Sequence, residues 1–273
     1  MRKILAVAIS VIGLTSLFLA PAQAAGQELP RRLGGENGPR RLTAAPNRPV
    51  PKLADGTVDL SGVWSGGGDA TIPRLLKPGE LDSILLPWAK KVFASRTQDP
   101  GKDPYFSCMP GGPLRITGGF AWRFVPWPSS SSTHIFMLQE GNAHTYRQIF
   151  MNAKHPEDPS PTWYGHSIGR WEGDTLVIDT IGINDKFWLD SAGTPHTEQL
   201  HLIERYTRTD YNTLQRVVTI DDPGTFSRKF DVTYTAKLGT PDSEILEYFC
   251  IENNQWGERT NANPLAPPIP ISK

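Results

Sequence analysis

The chain predicts an all-β fold, mainly antiparallel, that closes into a meander barrel with one short helix and a loop-rich N-terminal part. Three observations predict it. From residue 133 onward the sequence falls into runs of period-two patterning, rich in Thr, Val, Ile, Phe and Tyr. Side chains along a strand point alternately to opposite faces, so this period marks half-buried strands. Gly, Asn, Asp or Pro turns separate the runs at fairly even intervals, the spacing of consecutive antiparallel strands. Helical periodicity is clear in only one short stretch.

Taken in order, the chain of 273 residues opens with Met1-Arg2-Lys3, an apolar run over 4–20, Pro21, and the small-residue site Ala22-Gln23-Ala24. Basic, apolar and small-residue regions in that order describe a secretory signal peptide over 1–24, cleaved before Ala25. The apolar run is short for a span of ~20 residues, so no membrane span is expected once the leader is removed. The expected location is periplasmic or secreted. Residues 25–56 are rich in Pro, Gly and Arg with few large apolar side chains. They bury too little surface to offset ordering, so a flexible segment is expected.

A single barrel-like domain is expected over 57–258. It starts at 59–64 (DLSGVW), where a G-x-W on a first strand resembles the opening of lipocalin-type barrels, whose Trp plugs the base. Gly66-Gly67-Gly68 marks a loop. Residues 85–96 (LLPWAKKVFASR) read as the helix, with Pro87 in its first turn and Leu85, Trp88, Ala89, Val92 and Phe93 on one face. The helix is read as a cap over one barrel end. Residues 97–130 read as loop. Strands are expected at 133–140, 144–151, 164–171, 174–182, 198–208, 213–221, 228–238 and 244–251. The clearest hairpin turn is Trp171-Glu172-Gly173-Asp174. A Pro-rich, unstructured tail is expected at 259–273.

Charge excludes some functions. The chain balances 28 basic against 28 acidic residues. Without Arg2 and Lys3 the mature chain carries 26 against 28, a net of −2. A near-neutral protein has no electrostatic case for nucleic acid or an anionic membrane surface, which leaves small molecules or other proteins as partners. The two cysteines, Cys108 and Cys250, are expected to form one disulfide after export.

The stretch PTWYGHSIGRWEGDTLVIDT (161–180), then GINDKFWLDSAGTPHTEQLHLIERY (182–206) and TIDDPGTF (219–226), resembles a large group of exported bacterial proteins of unassigned function. The likeness extends to DLSGVW at 59–64, a C-x-P-x-G segment at 108–112 and an E-Y-x-C segment at 247–250. It covers roughly 55–255, implies an exported β-rich domain and supports the Cys108–Cys250 pairing. The group in turn resembles, more distantly, calycin/lipocalin-like barrels that enclose small ligands. That step is fold-level analogy and carries no activity.

Chemistry concentrates in 161–205. His166 follows Trp163-Tyr164-Gly165, where Gly permits a bend and the rings could wall a pocket. His196 enters a strand whose face carries Glu198 and Glu204, and Asn184, Asp185, Trp188 and Asp190 precede it in a loop. His144 and Tyr146 share one face of a neighbouring strand. His134 and His155 read as strand-end and solvated-loop residues.

The expected catalytic set is His166 and His196 with Asp190 and Glu204. His144, Tyr146, Trp163, Tyr164, Asn184 and Trp188 are the expected substrate contacts. A histidine takes and returns a proton near neutral pH, and a carboxylate fixes its tautomer. The expected activity is acid–base chemistry of lyase, hydratase or isomerase type on a small aromatic or sugar-like molecule, with no cofactor. Two alternatives stand beside it. One is a small-ligand binding protein. The other is a metal-assisted hydrolase with a divalent metal on His166, His196 and Glu198, whose spacing matches no short metal motif. Nucleophilic serine and phosphate-cradling motifs are absent: there is no G-x-S-x-G, and the glycine runs lack the Lys of a P-loop.

Overall fold

The computed structural model describes residues 48–68, 71–128, 133–141 and 145–250, all within one compact unit, Arg32–Lys273. The predicted leader, most of the N-terminal segment and the Pro-rich tail lie outside the described residues.

Nine strands close into a barrel in sequence order. They are β1 (Trp64–Gly66), β2 (Ala121–Trp127), β3 (His134–Gln139), β4 (Tyr146–Met151), β5 (His166–Glu172), β6 (Thr175–Ile181), β7 (His201–Asp210), β8 (Thr213–Asp221) and β9 (Phe230–Leu238). The short β1 pairs with both β2 and β9 and closes the ring. Every neighbouring pair is antiparallel except β4 and β5, which run parallel.

Parity explains the exception. Strands that alternate up and down close into a ring only when their number is even, so nine strands require a parallel junction. A parallel pair needs a crossover of about a dozen residues or more. Residues 152–165 supply it, returning along the outside of the barrel.

The pattern of the sequence is visible in the burial of each strand. In β9, Phe230, Val232, Tyr234, Ala236 and Leu238 are buried while Asp231, Thr233 and Thr235 are exposed. The β5–β6 hairpin turns at Gly173-Asp174, and Gly173 sits at φ 58°, where a Cβ is disfavoured.

Two strand expectations are corrected. β2 lies inside the region read as loop, because Pro126 interrupts its run and a proline demotes a strand. Residues 244–250 form no strand. β1 and β9 already close the sheet, so no edge is left for another strand. The segment is instead tied down by the Cys108–Cys250 disulfide, across a separation of 142 residues.

The end of the N-terminal segment is also not free. Arg48 lies over the Tyr211 ring, Lys52 bridges Val58, and Lys52 Nζ pairs with Asp174 at 2.8 Å. The predicted helix is observed as α3 (Pro87–Gln98), preceded by two shorter helices, α1 (Ile72–Leu75) and α2 (Glu80–Ile84). A fourth, α4 (Gly112–Arg115), follows.

The barrel is filled by its own side chains. Ile72, Leu81, Ile84, Leu85 and Ala89 of the helical region pack with Phe187, Leu189, Leu202, Val218, Ile220, Phe226, Phe230 and Val232. A second cluster gathers Trp64, Trp122, Phe124, Met137, Leu176, Ile178, Tyr206 and Leu214. Trp64, the Trp of the G-x-W, is fully buried, donates from Nε1 to Leu60 O at 3.0 Å, and lies under the Arg208 guanidinium.

A charged layer also crosses the interior. Glu204 sits between Arg147 and Arg216, each at most 1 % exposed. Arg147 Nε donates to Ser167 Oγ at 2.9 Å. Arg216 donates to Glu204 Oε1 at 2.7 Å and to the carbonyls of Gly67, Leu114 and Pro113 at 2.9–3.0 Å. That fan of donors pins α4 and the exit of β1 to β8.

Candidate functional site

The crossover 152–165 passes over outward-facing side chains of β4 and β5 and leaves a groove of about 570 Å³. Arg147 and Ile149 point into the barrel, so alternation turns Tyr146, Gln148 and Phe150 outward to line the groove. Tyr164, Gly165 and His166 line it from the start of β5, and Pro156, Asp158, Pro159, Ser160 and Thr162 line it from the crossover. Gly165 has φ 65°, and a Cβ there would stand 2.6 Å from Ile181 O, so the chain enters β5 tightly against β6 only as glycine.

At one end of the groove three histidines and a carboxylate join into a chain. His166 Nδ1 is 2.9 Å from His155 Nδ1, His155 Nε2 is 3.1 Å from Asp179 Oδ1, and His201 Nε2 is 2.7 Å from the same Oδ1. The crossover brings His155, β6 brings Asp179 and β7 brings His201. The Phe150 ring stacks on His166 at 4.9 Å with 9° between planes, which holds the imidazole parallel to that ring.

This network assigns tautomers. A carboxylate only accepts, so His155 Nε2–H and His201 Nε2–H donate to Asp179. When both imidazoles are neutral, His155 Nδ1 offers a lone pair, which accepts the Nδ1–H of His166. The remaining nitrogen of His166, Nε2, carries a lone pair, and no described residue hydrogen-bonds to it.

The electrostatics agree with that assignment. Burial would raise the Asp179 carboxyl, but the hydrogen bonds from His201 and His155 outweigh it and hold the group below its ordinary value. The Asp179 bond raises His201 above its ordinary value, against the opposing effect of burial. His166 is pushed down, first by burial and then by the neighbouring His155, which favours the neutral base.

Of the residues expected from sequence, the groove brings together Tyr146, Tyr164 and His166. Tyr164 accepts a hydrogen bond from Gln139 Nε2 at 3.0 Å, and burial pushes its hydroxyl up to about 12. His144 lies outside the described residues.

The rest of the expected set does not join this groove. His196 is buried between the carbonyls of Phe187 (3.1 Å) and Thr197 (3.3 Å), and desolvation pushes it down to about 4. Asp190 accepts N–H groups from Ile72, Ala192 and Thr194 and so organises its own loop and the start of α1. Glu204 belongs to the charged layer inside the barrel. No hydrogen bond links any two of His166, His196, Asp190 and Glu204, so the convergence expected of them is not formed.

Nor do the remaining expected contacts line it. Asn184 accepts from Lys186 N–H in a local turn, and Trp188 is buried under the Arg96 guanidinium at 5.1 Å. Trp163 packs toward Phe187, ring to ring at 6.3 Å. The alternative metal set is not assembled. His196 is buried elsewhere, Glu198 is exposed, and among the described residues no three His, Cys, Asp or Glu side chains could hold an ion.

Sequence reasoning missed His155, Asp179 and His201. One signal was available for Asp179: it is a charge in the middle of an otherwise apolar strand (TLVIDTI), on the outward face. Nothing in sequence pointed from His155 to it, because their meeting depends on the path of the crossover.

Compared with known proteins, the chain matches no family model, no curated protein and no solved structure.

Proposed function

We propose that the chain is an enzyme of His/carboxylate acid–base type acting in this outer groove, with His166 as the group that exchanges the proton. The observation that carries the reading is the chain Asp179–His155–His166, whose terminal His166 lone pair is the one nitrogen left without a described partner. His166 Nε2 takes a proton from a substrate C–H or O–H. The resulting imidazolium is stabilised through its Nδ1–H on His155, which Asp179 orients in turn. Return of the proton to a second substrate atom or to a leaving group completes an isomerisation, hydration or elimination. His155 and Asp179 are positioning residues.

The lining favours an uncharged or cationic small molecule. Its ionisable side chains, besides His166 and the tyrosines, are Asp158 and Arg147. Arg147 is buried and engaged with Glu204, Ser167 and Thr180, so Asp158 sets the local charge. Tyr146, Phe150 and Tyr164 offer ring faces to an aromatic or sugar-like ligand, and Gln148, Ser160 and Thr162 offer hydrogen-bonding groups. The filled barrel interior favours this outer groove over a lumen as the ligand position.

The test is turnover of neutral and cationic aromatic and carbohydrate metabolites, followed by NMR, with the wild type, His166→Gln and Asp179→Asn. Loss of a general base is expected to lower kcat about 10²–10⁴-fold for His166→Gln. Asp179→Asn is expected to lower it less. Turnover indifferent to His166→Gln, or none across the panel, would overturn the proposal.

A further inference from the structure

The crossover is joined to the barrel in an uneven way. At its ends, Asn152 N–H donates to Gly169 O at 2.7 Å and Thr162 N–H donates to Gly182 O at 3.0 Å. Between them, the only side-chain hydrogen bonds that residues 153–161 make among the described residues are the two of His155, to His166 and Asp179. Pro159 adds a van der Waals contact, lying where a Cβ on Gly182 would stand 3.0 Å from it. The other residues of the stretch are exposed. The same stretch carries Pro156, Asp158, Pro159 and Ser160, which form the outer wall of the groove.

We infer that residues 153–161 are a strap over the groove, latched by His155, and that the latch opens when His155 and His166 are both protonated. The inference rests on the groove being the functional site, and adds how access to it is controlled.

The latch depends on a single shared proton. A contact of 2.9 Å between two Nδ1 atoms needs one proton between them. With both imidazoles charged, each Nδ1 carries a hydrogen, the bond is lost and two cations face each other at contact distance. The groups around the latch do not cancel this. On the strap stand Lys154, Glu157 and Asp158, none of them hydrogen-bonded to the pair. From β6 comes Asp179, which already accepts from His155 and His201 through one oxygen. From β7 comes His201, held above its ordinary value by Asp179 and influenced by Asp221 and Lys229. Protonation of His201 offsets the carboxylate, so Asp179 then has less negative charge to spare for the His155–His166 pair.

Linked proton binding sets the direction of the pH response. The latched state holds His166 below its ordinary value, so it binds fewer protons than the open state. The latch is at full strength above the ordinary histidine range and weakens as pH falls through it. Opening further exposes Phe150 and His166, both half-buried under the strap, while protonation converts His166 from a base to an acid.

Hydrogen–deuterium exchange of the full chain, disulfide intact and with no substrate, tests this. Rates for the amides of Asn152 and Thr162, which donate to Gly169 O and Gly182 O at the two ends of the strap, are corrected for the intrinsic pH dependence and compared at pH 7.5 and pH 5.5. The lower value is about one unit below the ordinary histidine pKa, so exchange in the strap is expected to rise about tenfold while β7 and β8 stay unchanged. His155→Ala is expected to show the fast rate at both pH values. A strap rate independent of pH, or a pH response retained in His155→Ala, overturns the latch. Because no turnover is read, its failure is separate from failure of the His166 assignment.

Discussion

Replacing Glu204 with Gln tests the charged layer in the barrel. The carboxylate is fully buried between Arg147 and Arg216 and also accepts from Tyr206 OH at 3.1 Å. Arg216 retains three backbone carbonyls and Thr117 Oγ1 after the change, but Arg147 keeps only hydroxyl oxygens and the Met137 sulfur. An amide accepts through one atom only, and its NH₂ must face a guanidinium. Breaking a buried pair this way costs about 3–5 kcal/mol, because a charge is left uncompensated. At about 2–4 °C per kcal/mol for a domain of this size, Tm falls by about 6–20 °C. Burial alone would raise the Glu204 carboxyl, yet the two arginines hold it below its ordinary value of 4.5. Its contribution is therefore present above that value and lost as pH falls below it, and Glu204→Gln removes this part of the pH slope. The assay is calorimetry and urea unfolding of wild type and variant from pH 7.5 to pH 3.5. A loss under about 1 kcal/mol at pH 7.5 would refute the reasoning, since it would mean that the arginines do not depend on Glu204 for their burial.

Two further outcomes are expected. Cys108→Ser with Cys250→Ser removes a closure across 142 residues, and in the chain-entropy model lowers stability by about 4–5 kcal/mol, read as a fall in the urea midpoint that reductant reproduces in the wild type. Gly112 lies at φ 73° with the Phe187 ring 2.1 Å from where a Cβ would stand, so Gly112→Ala combines a left-handed backbone with overpacking and costs about 2–5 kcal/mol. Gly173, at φ 58° with no atom within 4 Å of a Cβ, serves as its control: Gly173→Ala costs only the backbone conformation, about 1–2 kcal/mol by thermal unfolding.

Much of the barrel was legible because alternation is a local property. Spacing alone puts Leu202 and Tyr206, two residues to either side, on the same face as Glu204, and the three lie on the buried face of β7. His166 was singled out for its glycine and aromatic neighbours, and it lines the groove. The partners of Glu204 are not a local property. A carboxylate on a strand face looks the same in sequence whether it meets a substrate or two buried arginines. Arg147 and Arg216 lie 57 residues before it and 12 after it, so only the closed ring brings them to it.

By itself, the sequence determined the β class, the alternation of two faces along the strands, the β5–β6 hairpin and the disulfide partners. These follow from periods and turn chemistry over a few residues, or from there being two cysteines to pair. The tertiary structure decided which polar groups meet. Nine strands force a parallel junction, the junction forces the crossover 152–165, and the crossover carries His155 onto His166 and Asp179. That contact depends on register and on the route of a loop between strands, and neither leaves a mark in local spacing.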